Sequence, residues 1–475
     1  MNPRCSILAS LASMVALALV ALLLPGSAAA GKYVEVKGAK APGPDEFDRV
    51  FIEKHGPRKA GAVLVMIPGT GGGAGSVAQT SKDLAKRVDD LQVWGFDRRE
   101  QAFEDTSGFD GRDPDAAADY YLGFQYDRVL AEDVPFVSKW GFRVEMNDLR
   151  KVIRKAGKGG RQVFLGGHSR GAASAVAYAT WDFNGKPGYK SIDGLFLVDG
   201  GLAAFGPQDF TLAQAQEGLL EIRDGKLFND PLGAGIPEIG PIFSELAALY
   251  ADERPDELSA LQDNPIIPAS LKPPFPVTNE AFLGYVFDAN TSPPGFEALR
   301  IRAGGLAPNG EPRPWVSGEN TPIESFAETF SREPANATEW YYPRRMVLDT
   351  AAANALRPTR ASAFLGLKIQ HTEDVDVPLY AIQTDLTSGG VLAGAKVLIQ
   401  SSEIKRTRLI DAANGMSHLD PVVAPAATNR FTKSAAKFLE RLVKVPSAPS
   451  GRGCNDTQVN EASNSGGQLS CAARP

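Results

Sequence analysis

Val163-Phe164-Leu165-Gly166-Gly167-His168-Ser169-Arg170-Gly171-Ala172-Ala173-Ser174-Ala175 is the stretch on which the reading of this 475-residue chain turns. A short apolar run gives way to Gly-His-Ser-Arg-Gly and then to small, helix-tolerant residues. That is the order strand, tight turn, helix, with a serine at the apex. Gly167 and Gly171 leave room for a turn sharp enough to hold Ser169 out of both flanking elements, in strained backbone geometry. The bland alternative is a glycine-rich turn with an idle serine.

The flanking sequence favours the first reading. Upstream, Ala62–Ile67 is a continuous apolar run of the kind expected of a strand buried on both faces. It ends in Pro68-Gly69-Thr70-Gly71-Gly72-Gly73-Ala74-Gly75. Residues 76–88 have helical spacing, and residues 91–96 read as a strand that ends in the charged turn Asp97-Arg98-Arg99. Arg98 and Arg99 are candidates for substrate contact, although structural salt bridging is the commoner fate of such turns. Residues 113–124 and 144–156 follow as helices, and Gly194–Val198 is a further strand ending in Asp199-Gly200-Gly201. With short strands at Lys32–Lys37 and 49–54, this alternation predicts an α/β protein with a doubly wound, mostly parallel sheet and helices on both faces.

From Leu202 the rhythm breaks. Helical pieces at 212–222, 242–251, 324–330 and 342–356 alternate with irregular stretches rich in proline and glycine, such as 264–276 and 304–314. The sheet resumes at 377–383, has its last strand at 406–410, and is closed by an amphipathic helix at 428–443. The expected organisation is a core at 31–201, an inserted cap at 202–374, the rest of the core at 375–445, and a flexible tail at 446–475.

Gly-His-Ser-Arg-Gly resembles the nucleophile elbow of the α/β-hydrolase superfamily, and the order of the other candidate residues is similar to that family's. The resemblance spans about 49–201 and 375–443. It implies an α/β-hydrolase fold with a large cap inserted after the sixth strand, and acyl transfer to water through an acyl-serine. Ser169 takes the place of the nucleophile. Of the four histidines, His418 follows the final strand in a loop with Gly415, where the family carries its catalytic base. His168 reads as structural or pocket-lining, His55 as part of a polar turn, and His371 as a surface or hinge residue. Asp385, just past the strand after the cap, is the first candidate for the acid. Asp199, past the preceding strand, is the alternative that some lipase relatives use. Asp420 is read as fixing the histidine loop by accepting backbone N–H bonds. The backbone N–H groups of Arg170 and of Thr70 or Gly71 are the expected oxyanion donors. Pro68-Gly69 stands where many relatives have His-Gly, a departure that bears on the choice of donor. The cap aromatics Phe275, Phe282, Tyr285, Phe287, Trp315, Trp340, Tyr341 and Tyr342 are candidates for an acyl pocket or for the cap's own core.

Composition narrows the partners. A net charge of −6 gives no basic footprint for nucleic acid. Residues 1–30 read as a signal peptide: Arg4, an apolar run at 7–24, and an Ala-x-Ala site before Gly31. A secreted or periplasmic protein is expected, without a stable membrane span after cleavage. Removing that segment leaves Cys454 and Cys471, a natural disulfide pair in an oxidising compartment. No Cys/His spacing suggests zinc, and neither a cofactor nor a metal is expected.

The expected substrate is a small or lipid-like carboxylic ester, with a peptidase or amidase as the alternative. Two other classes stay open. The loop Gly69-x-Gly71…Ala74, with Asp89 and Asp90 at about the right distance, also fits a dinucleotide fingerprint and hence an oxidoreductase. A non-catalytic binding protein that kept the fold is the other.

Overall fold

Six apolar residues in a row, Ala62 to Ile67, can be buried only if both faces of their strand are covered, and that is how the sheet is built. In the computed structural model, which describes residues 31–204, 210–318 and 320–444, Ala62, Leu64 and Met66 enter one hydrophobic core. Val63, Val65 and Ile67 enter a second core on the opposite face. The signal-peptide reading, the Cys454–Cys471 pairing and the tail from 446 lie outside the described residues.

The strands are β1 (Lys32–Lys37), β2 (Arg49–His55), β3 (Ala62–Ile67), β4 (Leu91–Asp97), β5 (Gln162–His168), β6 (Gly194–Val198), β7 (Gly304–Leu306), β8 (Trp315–Ser317), β9 (Leu379–Gln383) and β10 (Thr407–Asp411). Eight of them form one sheet in the order β1-β2-β4-β3-β5-β6-β9-β10. β2 runs antiparallel to both its neighbours, and all the remaining pairs are parallel. The expected mostly parallel, doubly wound sheet is therefore present. β3 and β5 lie side by side at its centre, so the turns that follow them share the carboxyl edge, where open α/β sheets hold their ligands.

Among the described residues the segment between β6 and β9 adds no strand to this sheet. It contributes the helices Leu212–Arg223, Ile239–Glu253, Asn279–Phe287, Ile323–Phe330, Arg344–Ala353 and Arg360–Leu365, and the small antiparallel pair β7–β8. Three of these features differ from expectation, the short helix Arg360–Leu365 being the first. Asn279–Phe287 is apolar almost all round and buried, so it lacks the one-sided stripe by which a surface helix is recognised. The Gly/Pro-rich stretch near 304–314 supplies β7 and the turn of the hairpin.

One strap of this insertion is stitched to the sheet. Gly73 N–H donates to Ala337 O at 3.0 Å and Gly75 N–H to Asn336 O at 2.9 Å, while Glu339 N–H donates to Gly71 O at 2.9 Å. A side chain at residue 73 would place its Cβ 2.3 Å from Asn336 O, so the glycine is needed for the strap to close. Two carboxyls hold the strap from its other side. Glu245 accepts Thr338 N–H at 3.1 Å, and Glu104 accepts Trp340 N–H at 2.8 Å.

These carboxyls give the fold a definite pH dependence. Burial pushes Asp97 up to about 7, and the nearby Glu339 and Glu53 add to it. Burial likewise raises Glu245 to about 7. A carboxyl whose folded pKa exceeds its unfolded value of about 4 binds more protons in the folded chain, so stability is lost as pH rises from about 4 through 7. Glu53 and Glu145 behave oppositely. Burial alone would raise them, but His55 and Arg332 hold Glu53 at about 2, and Arg170 and Arg98 hold Glu145 at about 2. Their contribution is present above about 4.5 and lost below it. The melting temperature is therefore expected to peak near pH 5 and to fall toward pH 8. Asp97→Asn and Glu245→Gln should each flatten the fall between pH 5 and 7 in a thermal-shift titration; an unchanged slope in both would contradict this account.

Candidate active site

β5 ends at His168 and the helix Arg170–Thr180 begins one residue later. Ser169 between them has φ 55° and ψ −127°, the left-handed geometry that aims a side chain away from both elements. The glycines on either side permit it by close approach. A Cβ at Gly167 would lie 2.2 Å from Gly171 C, and one at Gly171 would lie 2.1 Å from Ile67 O. Ser169 N–H is tied to Val198 O at 2.8 Å, which anchors the turn to the end of β6.

The hydroxyl opens into a cavity of about 380 Å³ that also contains His168, His418, Thr70 and Gly71. His418 is buried, and its Nδ1 lies 2.5 Å from Asp199 Oδ2. Asp199 also accepts Thr384 N–H at 2.7 Å and the Thr384 hydroxyl. Burial opposes ionisation of Asp199, but the hydrogen bond and charge of His418, together with Thr384, hold its carboxyl below the usual range. Among the described residues Ser169 Oγ has no hydrogen-bond partner, so the serine–histidine contact is open at rest.

Asp385, the first candidate for the acid, does not meet the imidazole. Its Oδ2 accepts from Arg302 Nη2 at 3.0 Å and from Ser417 Oγ at 2.8 Å. Strand order explains the correction. β6 adjoins β5, whereas β9 lies one strand further out. The end of β6 therefore sits beside the elbow, and the turn after β9 reaches it only through Thr384, which supports Asp199. Asp385 braces the histidine loop instead.

Asp420 also holds that loop. It accepts Ser417 N–H at 2.7 Å, Arg302 N–H at 3.0 Å and Thr321 Oγ1 at 2.6 Å. His168 Nε2 contacts His418 O at 2.9 Å, and the two rings stand 4.5 Å apart. Burial and the neighbouring His418 push His168 down to about 3, so it is a neutral wall of the site. His55, expected in a polar turn, is buried at the end of β2 against Glu53, 3.2 Å away. His371 lies between Asp374 and Asp182.

The loop after β3 carries backbone donors without an acceptor among the described residues. Gly72 N–H donates to Gly69 O at 3.4 Å and Gly73 N–H to the strap, but Thr70 N–H and Gly71 N–H have no acceptor among the described residues. Arg170 N–H starts a helix and is among its orphan donors. All three of these residues stand at the carboxyl edge beside Ser169. The dinucleotide fingerprint does not fit. Asp90 binds Gly61 N–H and its carbonyl binds Ala62 N–H, which puts the acidic pair at the opposite end of β3 from the glycine loop. Among the described residues no group of three or more His, Cys, Asp or Glu could hold a metal ion.

Of the cap aromatics, Phe287, Trp340 and Tyr342 line the cavity with Phe243, Phe296, Phe326 and Phe330. Phe282, Trp315 and Tyr341 belong to the first core, against which Phe275 packs. Sequence reading missed Phe243, Phe296, Phe326 and Phe330, because nothing in a helix pattern says which apolar positions face a void.

The sheet order, the strand directions, the elbow after β5 and the histidine loop after β10 together define an α/β-hydrolase fold. No family model and no curated protein matches the sequence. Among solved structures, the chain is similar to a protein from Sulfolobus solfataricus thought to be a lipase, with a TM-score of 0.49 at 16% identity over 86% of this chain and 94% of that one. It is also similar to an epoxide hydrolase from Vigna radiata, with a TM-score of 0.43 at 14% identity over 88% and 99%. A third is a monoglyceride lipase from Saccharomyces cerevisiae, with a TM-score of 0.42 at 12% identity over 89% and 99%. Among the described residues no helix is long and apolar enough to cross a membrane.

The His418–Asp199 pairing has a direct spectroscopic consequence. A proton held between His418 Nδ1 and Asp199 should resonate far downfield in proton NMR. Asp199→Asn should remove that resonance and Asp385→Asn should leave it in place; the reverse pattern would restore Asp385 as the partner.

Proposed function

We propose that this protein is a serine hydrolase that cleaves a carboxylic ester through an acyl-enzyme on Ser169, with His418 as general base and Asp199 as the acid that orients it. The observation that carries this reading is one cavity lined both by a strained serine, whose hydroxyl has no hydrogen-bond partner among the described residues, and by an aspartate-bound histidine. Ser169 Oγ would attack the carbonyl carbon while His418 Nε2 takes its proton, and Asp199 would fix the tautomer and stabilise the imidazolium. The oxyanion would be held by Arg170 N–H and by Thr70 or Gly71 N–H. The proton then passes to the leaving alcohol. A water deprotonated by His418 attacks the acyl-serine, releasing the acid and restoring the hydroxyl.

The lining supports an uncharged acyl group. Among the described residues no lysine, arginine or aspartate lines the cavity, and the one glutamate that does, Glu339, is already bound to Arg98 at 2.9 Å. Phe287, Phe326 and Phe330 form a wall, with ring centroids 4.7 Å and 4.3 Å apart along the row. A 150 Å³ cavity holds a benzene, so this one has room for about 15 non-hydrogen atoms of substrate. The charged start, apolar run and Ala-x-Ala site of residues 1–30 favour action outside the cytoplasm.

A fluorophosphonate should label Ser169 stoichiometrically, as peptide mapping would show, and Ser169→Ala should not be labelled. Silence of the wild-type chain toward both this probe and an ester panel would turn the reading toward a binding protein. Asp199→Asn should lower kcat by about 10³- to 10⁴-fold, and Asp385→Asn by no more than about threefold. Across p-nitrophenyl esters, kcat/KM should peak at acyl chains of about four to eight carbons and decline beyond about twelve, given the room available. Phe326→Ala should move the peak to longer chains.

A further inference from the structure

Arg98 is fully buried directly after β4, and its guanidinium is shared among four acceptors on three different segments. Nε donates to Glu145 Oε1 at 3.0 Å and Nη1 to Glu339 Oε2 at 2.9 Å. Nη2 donates to Pro68 O at 2.8 Å, and Nη1 also reaches Gly72 O at 3.5 Å. The two carbonyls bracket Gly69, Thr70 and Gly71, whose N–H groups have no acceptor among the described residues. Glu145 closes the circuit on the other side of the serine. It takes the Arg170 guanidinium in a two-pronged contact at 2.9 Å and 3.3 Å and the Ser174 hydroxyl at 2.8 Å. Both guanidiniums stack against Tyr342, at 5.5 Å and 5.2 Å from the ring centroid.

We propose that Arg98 is a positioning residue for ester hydrolysis, which clamps the Pro68–Gly72 loop at both ends and, through Glu145, fixes that loop relative to Arg170, so that the two halves of the oxyanion hole keep their spacing. This rests on the serine-hydrolase reading above. A planar fork is required because one cation must meet several acceptors in fixed directions; a lysine keeps the charge but reaches only part of the set. Arg99 is the natural control. It is equally buried and binds Asp148 at 2.9 Å, Ala39 O at 3.0 Å and Phe47 O at 3.0 Å, and none of these belongs to the loop after β3.

The experiment compares R98K and R99K in the full chain, using p-nitrophenyl ester kinetics normalised to fluorophosphonate-titrated sites. R98K should lower kcat about 10- to 100-fold with KM within about threefold, since the loss falls on the transition state. Affinity for an alkyl trifluoromethyl ketone should fall by the same factor. R99K should keep kcat within about threefold, even where its melting temperature drops as far. Should R98K fail to fold, E145Q loosens the same clamp and should show the same selective loss of kcat.

Amide hydrogen exchange over residues 68–75 supplies a readout independent of activity. It should speed up at least about tenfold in R98K or E145Q and stay unchanged in R99K. Equal losses of kcat in R98K and R99K, or unchanged exchange in both, would overturn the proposal. A wild-type chain that is neither labelled nor active would defeat the functional reading instead, while the exchange comparison would still decide whether Arg98 holds the loop.

Discussion

The approach of two backbones at the centre of the sheet is what the site depends on. Gly171, in the first turn of the helix that follows Ser169, packs against the carbonyls of Ile67 and Pro68, where β3 gives way to its glycine loop. Contact that close fixes three things together. The helix cannot slide along the sheet, the serine is pushed into its left-handed conformation, and the glycine loop is brought to the serine. A methyl group at either Gly167 or Gly171 would separate these parts, and no rotamer change elsewhere could bring them back.

Around that contact the protein buries an unusual amount of charge. Glu145 is held ionised by arginines and Glu53 by His55 and Arg332, whereas Asp97 and Glu245 are pushed toward their neutral forms by burial. Buried ion pairs seldom add much stability over an apolar filling, since desolvation offsets most of their attraction. Their directionality is the more useful property here. A guanidinium with five donors in a plane can specify where several loops lie relative to one another, and the carboxyl edge of this sheet is made of loops.

Much of this was legible in the sequence, and the limits fall along a physical line. Continuous apolar runs at Ala62–Ile67 and Gly194–Val198 announce strands buried on both faces, and the observed strands have those bounds. Ser169 and His418 were visible because glycine spacing and chain order mark them locally. The aspartate that meets His418 could be named only as the second of two candidates, because the choice between Asp199 and Asp385 depends on which strand lies next to β5, a non-local fact about sheet order. The glycine loop was half understood. Substrate access accounts for the residues nearest the serine, but Gly73 and Gly75 face Asn336, more than 250 residues along the chain. Only the folded chain shows that partner.

The pairing between Gly71–Gly75 and residues 336–339 also bears on how such a chain can change over generations. The same short loop lies beside Ser169 and seats the strap, so a larger residue at 73 is acceptable only if the strap withdraws. Withdrawing the strap would uncover Glu245 and Glu104 and remove one wall of the cavity. Loop and strap are thus bound to a shared history: recombination that exchanged the insertion without the loop would join surfaces that do not fit. Altered cavity linings are more readily reached through side chains on the far wall, around Phe326 and Phe330, where among the described residues no backbone hydrogen bond ties the wall to the loop after β3.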